Sequence, residues 1–416
     1  MGDAARRVLI TNASYHSALA AARSLGQRGY WVACAAKRRP WGAAWASPTF
    51  ASRFCRARLL YPDPLSDPAG FVDRLADATR VLRCGVLLPV GVDAVLATMG
   101  HVDRLDAAVR VPFPALGVVE RAHEKGRCLE LASKLGIPIP QTFSPRSLDE
   151  MEAASEALTY PAVVKPRRGA AARGVSYVES QAALRSLYRR LVRAFPSSSP
   201  GRTAILDRSW PLIQEYVPGA THDVCLIARR GTLLGALTQE RLRTYPERGG
   251  SGIVNRTTRR PELVEFAQRL VGALGWHGVA QVEFKRDERT GAFKLMEFNP
   301  KFWGTLALSI AAGIDFPHLA CKLASAEEIA PAELEYRVGV VYRWRFPMEM
   351  MALAASGTRP IRLAAGERAV SDWRFSDPLP GIVQIAQTPI RMSMAFRSLR
   401  SLRVPRHREA GERPER

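Results

Sequence analysis

The chain of 416 residues has no run of 18 or more apolar residues, so no segment reads as a membrane-spanning helix. Its opening, MGDAARRVLITNAS, holds a four-residue apolar core, shorter than the apolar stretch of a secretory leader. Arg6 stands where N-myristoylation needs Ser or Thr. The six cysteines (Cys34, Cys55, Cys84, Cys128, Cys225, Cys321) fall singly, with no CxxC and no neighbouring His pair. A disulfide framework and a zinc site are both excluded, and the thiols read as small buried hydrophobes in a reducing, cytoplasmic setting. The first βα turn, TNASYH, lacks the GxGxxG that cradles a dinucleotide, and GxxxxGK[ST] occurs nowhere. No Ser-His-Asp or Cys-His arrangement is evident. Lysine is scarce: only eight of the 60 basic residues are Lys.

A net charge of +21 brings nucleic acid forward as a partner. The arginines, however, are spread along the whole chain and do not interleave with aromatics, and no helix-turn-helix or RNA-recognition signature is present. A generally basic surface is the expectation, with nucleic acid disfavoured. Against so much arginine, each retained lysine is informative, above all Lys125, Lys165 and Lys301. Apolar content of 47% with 8% aromatics is that of a globular protein, and the length suits two or three domains.

RRVLITNAS, HSALAAARSLGQRG and YWVACAA read as strand, helix, strand, and GVLLPVG with DAVLATMGHVDRL repeats strand and helix. Such alternation predicts parallel βαβ units up to about Val111. From Glu120 the pattern changes. EKGRCLELASKLG reads as an amphipathic helix. LDEMEAASEAL and AALRSLYRRLVRAF read as helices around a strand–loop–strand across Tyr160–Val178, and DVCLIARRGTLLGAL reads as antiparallel strands.

Three segments carry chemistry. AQVEF and FKLMEFN flank the turn KRDERTG and predict a β-hairpin. Strand alternation points Glu297 and Asn299 the same way, and Glu283 opposite them would bring three oxygen ligands together. Such hard oxygens suit Mg²⁺, and Glu297, between Met296 and Phe298, needs a partner for its charge. In YPAVVKPRRGAAARGVSYV, Lys165 ends an apolar strand and Gly169 and Gly174 let backbone amides approach an anion. PLIQEYVPG reads as a strand able to lay its backbone along a flat base, with Asp223 placed for a ribose hydroxyl.

Together these pieces resemble the ATP-grasp superfamily over roughly Glu120 to Lys322. The resemblance implies an α/β protein with an N-terminal Rossmann-like pre-ATP-grasp domain (1–115). A two-lobed α+β ATP-grasp domain (116–330, mobile lobe about 140–212) follows, then a small C-terminal region (331–396) and a basic tail (397–416) not expected to fold. It implies ATP and Mg²⁺ as cofactors, with Mn²⁺ as an alternative metal. Lys125 and Lys165 would contact the phosphates under a loop from Gly169 to Gly174. Glu215 and Val217 would contact adenine through their backbones, and Asp223 the ribose. Glu283, Glu297 and Asn299 would hold the metal. Arg241, in the polar stretch QERLRTYPERGGSGIVNR read as a loop, would meet the transferred phosphate, with the GGSG segment shaping the acceptor pocket. Lys301 departs from the family's frequent N-P-R; it keeps the charge and loses the planar fork. The implied activity is ADP-forming carboxylate–amine ligation of amino acids or similar small metabolites, with small-molecule substrates, no membrane partner, and a homodimer allowed for. Biotin-carboxylase-like bicarbonate activation and a non-catalytic polyanion binder retaining the fold are the alternatives.

Overall fold

Alternating apolar strands and helices in the first hundred residues build a parallel sheet. In this computed structural model, residues 3–38, 47–169, 174–194, 210–245, 250–356, 361–364 and 366–388 are described. The expectations for loop residues 170–173, for Gly249 and for the 397–416 tail lie outside them. Strands β1 (Arg7–Ile10), β2 (Trp31–Lys37), β3 (Cys55–Tyr61) and β4 (Val86–Leu88) pair in the order β3-β2-β1-β4, all parallel. Helix α1 (His16–Gln27) connects β1 to β2 and α2 (Pro68–Val81) connects β3 to β4, while α3 (Val92–Gly100) follows β4. Sequence reading missed β3, because Arg56 and Arg58 interrupt its apolar residues; both point to solvent from an edge strand.

A helix that the sequence reading did not include, α4 (Leu116–His123), precedes the one expected over EKGRCLELASKLG, which is α5 (Lys125–Lys134). α4 stops at Glu124, whose carboxylate caps α5 by accepting from the N–H groups of Gly126 (3.0 Å) and Arg127 (2.9 Å). The break places Lys125 in the first turn of α5. A small antiparallel sheet follows, of β5 (Thr142–Phe143), β6 (Ala162–Lys165), β7 (Ser176–Val178) and β8 (Leu212–Glu215) in the order β5-β8-β6-β7. Helices α6 (Leu148–Ala157) and α7 (Gln181–Ala194) close a separate core around Met151, Leu184, Tyr188 and Ile213.

The central sheet has seven strands in the order β13-β12-β9-β10-β11-β14-β15. They are β9 (Thr221–Arg229), β10 (Thr232–Tyr245), β11 (Ser251–Thr258), β12 (Gly278–Arg286), β13 (Phe293–Asn299), β14 (Val340–Arg343) and β15 (Arg368–Ser371). The stretch around Arg241, read as a loop, is strand: β10 runs on to Tyr245 and pairs with β11. Helix α8 (Pro261–Leu274) ends at Gly275 in the left-handed conformation (φ 62°), where a side chain would be strained. Helices α9 (Leu306–Ala312) and α10 (Phe316–Ala324) pack against α1, so one continuous core joins the parallel sheet to the central one. No single helix among the described residues is long and apolar enough to cross a membrane. All six cysteines are free and buried.

Residues beyond 330 extend the central sheet. β14 pairs with β11, β15 with β14, and α11 (Met350–Ser356) lies between them in sequence. Their anchor on α1 is the buried Arg23. Its Nε donates to Asp377 Oδ2 (2.8 Å), and its other nitrogens donate to the carbonyls of Asp372 (2.9 Å) and Asp377 (2.8 Å). Ser52 Oγ and the Arg53 N–H also donate to Asp377. Removing one partner of such a pair strands the other charge out of water, at about 3–5 kcal/mol. Asp377→Ala is therefore expected to lower unfolding stability in urea by about 3 kcal/mol. A change within about 0.5 kcal/mol would show that the C-terminal strands do not depend on this anchor.

Candidate active site

Strand register assembles the site. Glu283 on β12 lies opposite both Glu297 on β13 and Asp223 on β9, and Asp223 lies opposite Gln239 on β10. Directly opposed residues share a face, and the period of two puts Arg241 on the face of Gln239. Asn255 on β11 lies opposite Arg241. One face of the central sheet therefore carries a polar row running from Glu297 to Asn255.

Within the row, charges are matched closely. Arg241 forks onto Asp223 (Nη2–Oδ1 2.6 Å, Nε–Oδ2 3.1 Å) and reaches Glu283 Oε1 at 2.7 Å. Asn299 Nδ2 donates to Oε1 of Glu283 (2.9 Å) and of Glu297 (3.0 Å), so the three expected metal ligands do converge. Lys125 Nζ lies 3.2 Å from Glu297 Oε2 and donates to the Gly169 carbonyl at 2.9 Å. Lys165, at the end of β6, donates to Gln214 Oε1 at 2.8 Å. Lys125 from α5 and Lys165 from β6 thus meet the carboxylates of the central sheet, Lys165 Nζ lying 3.5 Å from the Met296 carbonyl.

Burial and neighbours tune these groups. Burial pushes Glu283 up despite the pull of Arg241, and the nearby Glu297 charge pushes it further. Burial would raise Glu297 too, but Lys125, Asn299 and Lys165 hold it well below the ordinary carboxylate range. The two behave as a split pair that resists double ionisation. Lys165 is lowered to about 8, by burial first and then by the charge of Lys125. Lys301 is lowered by burial, against the attraction of Glu283 and Glu297. Among the described residues no three His, Cys, Asp or Glu side chains gather to hold a metal. The donor set here is two carboxylates and an amide.

The structure places the other expected residues as follows. Gly169 (φ 143°) and Gly174 (φ 79°) flank the undescribed loop residues, both in backbone conformations that disfavour other side chains. The N–H of Glu215 goes to the Gln141 carbonyl and its carboxylate to Lys294 and Arg289, so its side chain fastens the strand to the hairpin turn. Val217 is buried and its carbonyl accepts from Lys285 Nζ at 2.6 Å. Asp223 is a correction. It has no exposed surface, and its oxygens accept from Arg241 and from Gln239 Nε2 (2.8 Å). A ribose cannot reach it; its position under Arg241 makes it an anchor. Sequence reasoning missed Gln214, Gln239, Thr305 (which donates to Gln239 at 2.9 Å) and Asn255. Strand pairing reveals Gln214, Gln239 and Asn255, and the start of α9 places Thr305.

A family model described as "ATP-grasp in the biosynthetic pathway with Ter operon" matches residues 209–344, the span that holds most of this row. Over those residues the chain is similar to ATP-grasp proteins. The large-chain N-terminal section of carbamoyl phosphate synthase from Methanopyrus kandleri is 25% identical over 292 residues, 61% of this chain and 50% of that one. Carnosine synthase 1 from Gallus gallus is 34% identical over 163 residues, 36% of this chain and 17% of that one. The chain thus spans half or less of these relatives. A biotin carboxylase from Campylobacter jejuni solved as an ATP-analogue complex superposes with a TM-score of 0.62 at 16% identity, covering 81% of this chain and 74% of that one. The last likeness shows the ATP-grasp fold alone.

Asp223→Ala should remove the Arg241 fork and leave that guanidinium buried beside Glu283, costing about 3 kcal/mol in denaturant unfolding. A loss below about 0.5 kcal/mol would show that Arg241 is held by other means.

Proposed function

We propose that the chain is an ATP-dependent, ADP-forming carboxylate–amine ligase acting on amino acids or similar small metabolites. The observation that carries the reading is the paired row itself: Glu283, Glu297 and Asn299 on one sheet, met by Lys125 from α5 and Lys165 from β6. The donor set fits Mg²⁺. Two carboxylates and an amide that can turn its oxygen inward are hard ligands, and a divalent cation offsets the burial and the Glu297 charge that disfavour ionised Glu283. When bound there, Mg²⁺ would neutralise phosphate charge and hold the polyphosphate in place.

The residues then divide the work. Lys125 and Lys165 hold the phosphates, and Gly169 and Gly174 allow the loop between them to approach. The backbone of the Glu215–Val217 segment lies along adenine. A substrate carboxylate oxygen attacks the γ-phosphorus and the bond to the ADP oxygen breaks. Arg241, fixed by Asp223, stabilises the charge that develops on the phosphoryl oxygens. The amine nitrogen attacks the acyl carbon, phosphate leaves, and the amide forms as the nitrogen loses a proton. Lys301 steadies the substrate carboxylate with a point charge where a fork would be stricter.

The test is ADP release from Mg-ATP across amino acids, singly and in pairs. Release that requires particular substrates and falls at least ~100-fold in Glu297→Ala is expected, since electrostatic groups of this kind contribute that much. Release by no substrate, or release unaltered in Glu297→Ala, would contradict the reading. The lowered Lys165 adds a pH signature. Its ammonium is lost as pH rises through about 8, so ATP affinity should fall above that pH. Lys165→Arg should remove the fall, and Lys165→Ala should weaken ATP at every pH by at least about tenfold.

A further inference from the structure

A cavity of about 390 Å³, open to solvent, lies between α5 and the segment running from β5 towards α6. None of the residues assigned to the nucleotide or the metal lines it. Four cations (Arg127, Lys134, Arg146 and Arg167) and two carboxylates (Glu124 and Glu130) do, a net of two positive charges. Both carboxylates are engaged. Glu124 accepts from the N–H groups of Gly126 and Arg127, and Glu130 accepts from Lys134 at 2.6 Å. The arginines are not. Among the described residues Arg146 has no ion pair, and Arg127 reaches Glu124 only at 3.7 Å, too long for a hydrogen bond. Arg167 is 8% exposed, and its guanidinium is only partly used. Its Nε donates to the Trp210 carbonyl (2.9 Å) and its Nη2 to the Pro145 carbonyl (3.2 Å). Nη1, 3.9 Å from Glu124 Oε1, makes no hydrogen bond among the described residues. A guanidinium held this far out of water with an unmatched donor calls for an acceptor. Gly126 leaves the space for one. A Cβ there would lie 3.2 Å from Arg167 Nη1 and 3.2 Å from Ser144 Oγ, so both donors border one open point. Glu124 Oε1 borders it too, at 3.1 Å, but is taken by the Gly126 N–H.

We propose that this cavity is a second anion site, for a small phosphorylated metabolite other than the nucleotide. A phosphate monoester is close to a dianion at neutral pH, which matches the net charge of the lining. Its oxygens point in several directions, and so do the donors. Arg167 comes from the loop after β6, Arg127 from α5, and Ser144 and Arg146 from the connection between β5 and α6. A carboxylate, planar and singly charged, would answer one fork and leave the others unmatched. The ligand also joins two parts of the molecule. α5 packs on β13 of the central sheet, whereas Ser144, Arg146 and Arg167 belong to the unit built on the small sheet. The cavity and its charges are the same whether or not the chain is a ligase.

The experiment titrates the protein calorimetrically with glycerol 3-phosphate, and separately with malate, at fixed ionic strength. The glycerol 3-phosphate titration is repeated on Arg146→Gln, Gly126→Ala and Lys165→Ala. Arg146 is exposed, and at Gly126, in the first turn of α5, alanine is the better helix former, so the first two variants keep the wild-type melting temperature. Glycerol 3-phosphate is expected to bind wild type and Lys165→Ala with the same affinity. Arg146→Gln, which loses a charged donor, and Gly126→Ala, which fills the open point, should each bind it at least about tenfold more weakly. Malate should bind wild type at least about tenfold more weakly than glycerol 3-phosphate. The proposal is overturned if wild type does not bind glycerol 3-phosphate, or binds malate as tightly. It is overturned equally if either Arg146→Gln or Gly126→Ala keeps wild-type affinity. Loss of binding in Lys165→Ala would also overturn it, by placing the anion in the candidate nucleotide site.

Discussion

Everything in the site depends on the antiparallel register of β13, β12, β9, β10 and β11. A one-residue slip in any pair would turn its contribution to the opposite face. With the register as it is, Glu297, Glu283, Asp223, Gln239, Arg241 and Asn255 share a face, although they come from five strands spread over 75 residues of sequence. The apolar residues that alternate with them, among them Val224, Val282 and Phe298, are buried on the other side. The same alternation that builds the core therefore gathers the polar groups on the opposite face.

That arrangement concentrates charge, and the protein balances it locally. Arg241 answers Asp223 and Glu283, and Lys125 answers Glu297. Two features stay out of balance: a pair of carboxylates that resists double ionisation, and a lysine lowered to about 8. Each is relieved by a ligand of opposite charge, a divalent cation for the first and a polyphosphate for the second. Perturbed groups gathered in one place in this way are a feature of functional sites.

How much of this was legible depended on whether a signal is local. The hairpin that carries Glu283, Glu297 and Asn299 was legible because a carboxylate between Met296 and Phe298 stands out against strand alternation. Lys125 and Lys165 were legible because lysine is rare here. The parallel sheet followed from its strand–helix alternation, except for β3, whose arginines hide an edge strand. Asp223 misled, since its environment is set by Arg241, eighteen residues on and across a strand pair. The amphipathic run EKGRCLELASKLG was legible and stands as α5 with Glu124 as its cap, whereas α4 before it was not read. Arg241 was assigned to a loop because its strand is polar on the face of the row. Nothing local distinguishes Asn255 either, and β14 joins the sheet through contacts with residues some 90 positions earlier, with β15 pairing onto β14.

The central claim is that a substrate carboxylate becomes an acyl phosphate over this row. It is tested most directly by running the reaction with a substrate whose carboxylate carries oxygen-18 and weighing the released phosphate. The account predicts one labelled oxygen per phosphate formed, dependent on Glu297. Unlabelled phosphate, formed at the same rate whether or not the carboxylate is present, would contradict it.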